Sequence, residues 1–169
     1  MKITMHGVFL LFFSILQSTW LEHIGIFGVK PNLFLVYIIL IGCFCGRIEG
    51  ATIGFVFGFV LDMLIGRFWG LNAILGMILC YSVSLFCEKL LSNNNVLISM
   101  VFVFVASLIH EGIYYFISFL GMDNLNFGTA LLWRIFPESV YNAIIAFMLY
   151  FLLNRLAKFF YTDKGETIG

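Results

Sequence analysis

The sequence predicts an all-α, polytopic integral membrane protein with six transmembrane helices. Hydrophobic residues make up 62% of the chain and charged residues only 11%, which is more apolar surface than a soluble protein of this length buries. The apolar residues form long runs, and a helix of about 20 mostly apolar residues crosses a bilayer. Short polar clusters separate these runs. We therefore expect one membrane domain over 1–160 and a short cytoplasmic tail over 161–169.

The predicted spans follow one another with short links. The first covers about 3–20, and Lys2 before it resembles the start of a signal peptide. Because no small-residue cleavage site follows, we expect this span to be retained. The other five are predicted at 32–46, 50–66, 71–87, 96–120 and 137–160. Pro137 favours the first turn of the last helix.

Two segments need a separate interpretation. A single helix over 32–66 would be about 50 Å long, whereas the hydrocarbon core is about 30 Å thick. Arg47 and Glu49 are therefore expected to mark a turn between two short antiparallel spans, which form a thin or re-entrant hairpin. The apolar segment 125–136 is too short to span and contains Trp133 and Arg134, which favours an interfacial helix.

Positive charges predict the orientation of the spans. With six spans and the N-terminus inside, six lysines and arginines fall on the cytoplasmic side and three on the outer side. The inner set is Lys2, Arg47, Lys89, Arg155, Lys158 and Lys164, and the outer set is Lys30, Arg67 and Arg134. Both termini are therefore expected in the cytoplasm.

A row of glycines is the most informative local pattern. Seven glycines keep a four-residue register: Gly42, Gly46, Gly50, Gly54, Gly58, Gly66 and Gly70. Residues four apart share a helix face, and glycines on that face let helix backbones approach closely in a membrane. Two interpretations remain open, which are internal packing of the hairpin and docking of a partner's transmembrane helix. The candidate residues are Gly50, Gly54, Gly58, Asp62, Gly66 and Gly70.

Asp62 takes the one position in this register that is not glycine. A carboxylate inside an apolar span is costly and is a functional-site hypothesis by default. Its candidate partners are Arg67, Gln17, Ser18 and Asn72. The alternatives are a hydrogen bond that fixes the helices and a proton or substrate role.

Other polar residues inside or next to the spans are candidates for intramembrane contacts. They are Gln17, His110, Glu111, Arg134 and Asn142. His110-Glu111 would begin a zinc-protease motif, but that motif needs a second histidine where Tyr114 stands. We expect His110 and Glu111 to pair with Arg134 or Glu138.

No pattern in the sequence predicts catalysis, a metal or a cofactor. The four cysteines lie in or at the ends of apolar runs and are expected to be small core residues. Asp62 is the only aspartate in a predicted span, which excludes a two-aspartate intramembrane protease. A formal net charge of zero gives no basic footprint for nucleic acid.

One block of sequence carries a family pattern. It consists of Lys30-Pro31-Asn32, Gly50-Ala51-x-x-Gly54-Phe55-x-x-Gly58-x-x-x-Asp62, Gly66 and Gly70-Leu71-Asn72-Ala73. Leu16-Gln17 and Pro137 followed by Tyr141-Asn142 agree with it. The chain resembles the rod shape-determining MreD family along essentially its whole length.

This resemblance implies a non-enzymatic component of the cell-elongation machinery in the bacterial inner membrane. It implies MreC as a partner, with links to MreB, to the peptidoglycan synthase RodA and to its transpeptidase partner. It also implies the six-helix fold of the substrate-binding subunits of vitamin transporters. The alternative function is therefore a small-molecule-binding transporter subunit, with a pocket near the outer loops lined by Trp20, Trp69, Asn72 and Trp133.

Overall fold

A computed structural model of the chain describes residues 2–17, 29–65, 70–90, 95–120, 128 and 131–161. Within those residues the protein is helical, and the all-α prediction is confirmed. The helices are α1 (Lys2–Ile15), α2 (Leu33–Phe44), α3 (Arg47–Ile65), α4 (Leu71–Leu90), α5 (Val96–Leu120) and α6 (Phe136–Tyr161). A π-helical turn, Leu131–Ile135, leads directly into α6. Most of the tail predicted at 161–169 lies outside the described residues.

Among the described residues, three helices are long and apolar enough to cross a membrane. The spanning windows are Leu71–Glu88, Val96–Leu120 and Leu131–Arg155. The apolar parts of α1 and α2, His6–Ile15 and Leu33–Phe44, are shorter. α3 has 19 residues and carries Arg47, Glu49 and Asp62. The protein is therefore a helical membrane protein in which three of the predicted spans have the length and composition of independent ones.

The short helix α2 is the centre of the bundle. Every residue from Leu33 to Gly42 is buried, and α2 contacts each of the other five helices. Tyr37 is the largest of its fully buried side chains. Its ring lies 4.8 Å from the ring of Phe57 on α3 and 5.2 Å from that of Phe13 on α1. A helix that is apolar on all sides is buried either in a protein core or in lipid, and α2 is buried among the other helices.

The break between α2 and α3 lies two residues earlier than the sequence predicts. α2 ends at Phe44 with an extended C-cap at Cys45, and α3 already begins at Arg47. The predicted turn residues Arg47 and Glu49 are therefore the first turn of α3. Glu49 is favourable there because a carboxylate complements the helix N-terminus. Arg47 donates from Nε to Glu88 of α4 over 2.8 Å, which joins these two helices at their exposed ends.

The last helix begins within one residue of the predicted start at Pro137. α6 starts at Phe136, so Pro137 lies in its first turn, where a missing backbone donor costs little. The π-helical turn Leu131–Ile135 precedes it directly. Trp133 and Arg134 are exposed on this turn. The predicted interfacial helix at 125–136 is therefore, where it is described, an extension of α6.

Replacing Ile39 with alanine should strongly destabilise the protein. Ile39 on α2 is completely buried, and the cavity left behind should cost about 2–5 kcal/mol. The matched control is Ile144→Ala on α6, where the isoleucine is 56% exposed and the cost should stay near about 0.5 kcal/mol. Thermal unfolding in detergent measures both. Equal losses for the two variants would contradict the central position of α2.

Candidate functional site

The backbones of α3 and α4 touch along the glycine register. A Cβ atom built on Gly54 would lie 2.5 Å from the carbonyl oxygen of Gly76, and one built on Gly76 would lie 2.6 Å from that of Gly54. A Cβ on Gly58 would lie 2.6 Å from the carbonyl carbon of Asn72. No side chain fits at these three glycines without moving a backbone. They therefore set the distance between α3 and α4.

The same face of α4 also packs against α2. Cys80 donates from Sγ to the carbonyl oxygen of Ile38 over 3.0 Å, and Ser84 donates from Oγ to that of Gly42 over 2.7 Å. A Cβ on Gly50 would lie 3.2 Å from Sγ of Cys80. The sequence left open whether the hairpin itself or a partner helix covers the glycine face. In the structure α4 covers it. Its side chains lie over both α2 and α3.

The remaining glycines of the register have other surroundings. Gly70 has a φ of +89°, a left-handed conformation that glycine adopts without strain, and its carbonyl oxygen accepts the N–H of Ile74 at the start of α4. A Cβ on Gly46 would meet no atom within 4 Å. Gly66 lies outside the described residues.

Asp62 caps the N-terminus of α4 from inside the protein. It is only 2% exposed. Its Oδ1 accepts the backbone N–H of Asn72 (3.1 Å) and the side-chain Nδ2–H of Asn72 (2.9 Å), and its Oδ2 accepts the N–H of Ala73 (3.0 Å). These bonds satisfy N–H groups that a helix start leaves open, and the carboxylate complements the helix dipole. Of the predicted partners, Asn72 is the one bound, while Arg67 and Ser18 lie outside the described residues.

His110 and Glu111 extend this contact to α5. His110 Nε2 lies 3.0 Å from Oδ1 of Asn72, and His110 Nδ1 lies 2.9 Å from Oε1 of Glu111. We call Asp62, Asn72, His110 and Glu111 the polar network. The sequence predicted Arg134 or Glu138 as partners of this pair. Arg134 is exposed and Glu138 is buried on α6, and Glu138 interacts electrostatically with both Glu111 and Arg134.

A second set of polar contacts holds the N-terminus of α2. Asn142 on α6 accepts the N–H of Asn32 through Oδ1 over 2.8 Å and donates from Nδ2 to Ser107 on α5 over 3.1 Å. Asn32 in turn accepts the N–H of Leu35 as the N-cap of α2. Gln17 accepts the N–H of Leu33 over 3.2 Å and donates to the carbonyl oxygen of Pro31 over 3.3 Å. Three other segments thus fix the start of the central helix.

Sequence reasoning missed the surface of α4 that faces the glycines. Its members are Asn72, Gly76, Cys80 and Ser84, which stand four residues apart. We call this set the α4 row. It is a second register of small and polar residues, and that spacing is the signal that predicts a complementary helix face. The missed capping partners Asn32 and Ser107 have no such periodic signal.

The arrangement is suited to fixing helices. In the described part of the chain no group of three His, Cys, Asp or Glu side chains is placed to hold a metal ion. The polar atoms of the network are directed at one another, which satisfies buried groups that would otherwise be costly in a membrane.

Comparison with family models assigns this chain to a protein family. A family model described as the rod shape-determining protein MreD matches residues 1–160. The chain belongs to the MreD family. No curated protein and no solved structure matches it.

Membership in the MreD family confirms the resemblance that the glycine and Asp62 motif indicates. It assigns the chain to proteins that determine rod shape, a family of structural proteins rather than a known enzyme family. The matched range includes both polar sets described above. In this MreD-family chain, the motif residues Gly54, Gly58 and Asp62 all contact α4.

Replacing Gly58 with alanine should destabilise the α3–α4 pair. The added methyl group would overlap the backbone of α4, and the overpacking should cost about 2 kcal/mol or more. Gly112→Ala on α5 is the matched control because its Cβ would meet nothing within 4 Å. That change should leave the unfolding temperature unchanged or raise it, since alanine is the better helix former. Equal unfolding temperatures for the two variants would contradict the close contact.

Replacing Asp62 with asparagine should also lower stability. One side of the new amide would present N–H₂ to the N–H of Ala73, so that a buried donor loses its acceptor at a cost of about 1–3 kcal/mol. Glu88→Gln is the control because it makes the same change at an exposed ion pair, where a much smaller effect is expected. The free energy of unfolding in mixed detergent micelles compares the two. A loss for Glu88→Gln as large as for Asp62→Asn would contradict the capping role.

Proposed function

We propose that this protein is a non-enzymatic scaffold of the cell-elongation machinery in the bacterial inner membrane. The observation that carries the proposal is the match of residues 1–160 to a family of rod shape-determining proteins. The geometry supports it, because the buried polar residues are used to join helices. In this role the protein helps to organise lateral peptidoglycan synthesis by holding membrane partners in place.

The proposed direct partner is the transmembrane helix of MreC. Since α4 covers the glycine face of α3, a partner helix has to bind an outward surface. We assign this role to the exposed face of α3, which presents Phe55, Phe59 and Met63. The rings of Phe55 and Phe59 stack with centroids 6.3 Å apart. The contact of α3 with α4 makes this face rigid, and a rigid face loses little entropy on binding. MreB, RodA and the transpeptidase are proposed as further members of the assembly.

We propose that six helices cross the membrane, with both termini in the cytoplasm. The distribution of lysine and arginine supports this orientation. Arg47 and Glu88 pair at one end of the bundle, and this end is proposed to face the cytoplasm. Asp62 and Asn72 then lie toward the outer side. α2 is short for a span, but protein surrounds it, so its length need not match the lipid.

The resemblance to the MreD family also implies a fold and an alternative function, both taken from vitamin transporters. We propose that the bundle shares the six-helix fold of the substrate-binding subunits. Binding of a small molecule has less support, because Asn72, one of the expected pocket residues, is bonded to Asp62 and His110. Trp133 is 79% exposed, and Trp20 and Trp69 lie outside the described residues.

The test combines a shape assay with crosslinking. In a rod-shaped bacterium depleted of its own MreD, expression of this chain should restore rods. A Phe59→Cys variant should form a disulfide with a cysteine placed in the MreC transmembrane helix. Ile144→Cys on α6 is the control, because it is similarly exposed but lies outside the proposed surface. The native cysteines are buried or half-buried.

Each outcome of this test has a distinct meaning. Round cells despite correctly inserted protein would overturn the shape-determining role. Rods without a Phe59 crosslink, or an equal crosslink from Ile144, would leave that role intact and overturn the assignment of MreC to α3.

A further inference from the structure

The position of His110 between Asn72 and Glu111 indicates which nitrogens of its ring carry a proton. His110 is 3% exposed, and its two ring nitrogens face two different polar atoms. A neutral imidazole has one N–H donor and one acceptor nitrogen, and which nitrogen carries the proton follows from the surrounding hydrogen bonds. The neighbours of His110 therefore determine its protonation.

Asp62 fixes the orientation of the Asn72 amide. Both oxygens of Asp62 accept from N–H donors, which are two backbone groups and the Nδ2 of Asn72. A carboxylate with this set of donors acts only as an acceptor. If the Asn72 amide were reversed, its oxygen would face Oδ1 of Asp62 at about hydrogen-bond distance, and the two acceptors would repel. Oδ1 of Asn72 must therefore point toward His110.

The orientation of Asn72 in turn fixes a proton on His110. Oδ1 of Asn72 is an acceptor, so Nε2 of His110, 3.0 Å away, must be the donor. In a neutral ring Nδ1 would then carry a lone pair. That lone pair would face Oε1 of Glu111 at 2.9 Å, and an ionised carboxylate there is also an acceptor. One more proton is needed to make this contact a hydrogen bond.

We propose that His110 and Glu111 form a proton-binding site inside the membrane. The ligand is a single proton held between Nδ1 of His110 and Oε1 of Glu111, in addition to the one on Nε2. The pair is electrically neutral whether the proton lies on the ring or on the carboxyl group. This neutrality suits side chains that are 4% and 17% exposed, because burying a net charge in an apolar medium is costly.

Two further carboxyl groups lie near the pair. Asp62 on α3 lies beyond Asn72, and Glu138 on α6 interacts electrostatically with Glu111. Loss of the proton would leave Nδ1 and the Glu111 carboxylate facing each other as acceptors. The hydrogen bond between His110 and Glu111 therefore depends on this proton, whereas the Nε2–H bond from His110 to Asn72 does not.

Solid-state NMR in lipid bilayers at neutral pH tests the site. The protein is labelled with ¹⁵N-histidine and ¹³C-glutamate, and the His110 ring is assigned with a His110→Gln variant. The proposal expects a proton on Nε2 together with either a proton on Nδ1 or an acid form of Glu111. An unprotonated Nε2 overturns it, and so does a protonated Nε2 with a bare Nδ1 and an ionised Glu111.

Glu111→Gln is the matched variant. Its side-chain amide can donate to Nδ1 without a bound proton, so His110 should keep Nε2–H and show a bare Nδ1. A protonated Nδ1 in Glu111→Gln would overturn the proposal, because the extra proton would then belong to the ring alone. This comparison also assigns the His110 signals if His110→Gln does not fold, and its readout is independent of cell shape.

Discussion

The direct contact between the backbones of α3 and α4 is the constraint on which the rest of the bundle depends. Inside a membrane the hydrophobic effect does not drive helices together, and close packing and polar bonds replace it. Gly54, Gly58 and Gly76 allow this packing because none of them has a side chain. The same short distance lets Asp62 reach the first turn of α4. It also brings Cys80 and Ser84 of the α4 row to the carbonyl groups of α2.

The buried polar residues of this protein complete that packing rather than form an open site. Polar side chains in transmembrane segments are often functional, and here two sets of them join six segments of chain. The polar network connects α3, α4 and α5. Asn142 and Gln17 connect α6 and the end of α1 to the start of α2. Among the described residues the large exposed side chains are chiefly apolar, as expected of helices that face lipid.

The sequence predicts where the helices of this protein lie better than it predicts which helices pack against one another. Apolar runs and polar breaks place the helices within a few residues, because each signal is local. The register of Gly54 and Gly58 identifies a packing face, but periodicity does not say which helix covers it. Asn72 was one of four candidate partners of Asp62. His110 was expected to pair with Arg134 or Glu138, yet it binds Asn72. Such pairings depend on how distant segments assemble, which no local pattern records.

The bond between Asn142 and Asn32 has a consequence for how the chain is made. The two residues are 110 positions apart, and α6 is the last of the described helices to leave the ribosome. Until it arrives, the backbone N–H of Asn32 lacks its final acceptor, and an unmet N–H group is costly in hydrocarbon. Assembly therefore cannot finish hairpin by hairpin in order of synthesis. The start of α2 reaches its final hydrogen bonding only after α6 has been inserted. Truncation of α6 should therefore destabilise α2 as well as the region next to the truncation.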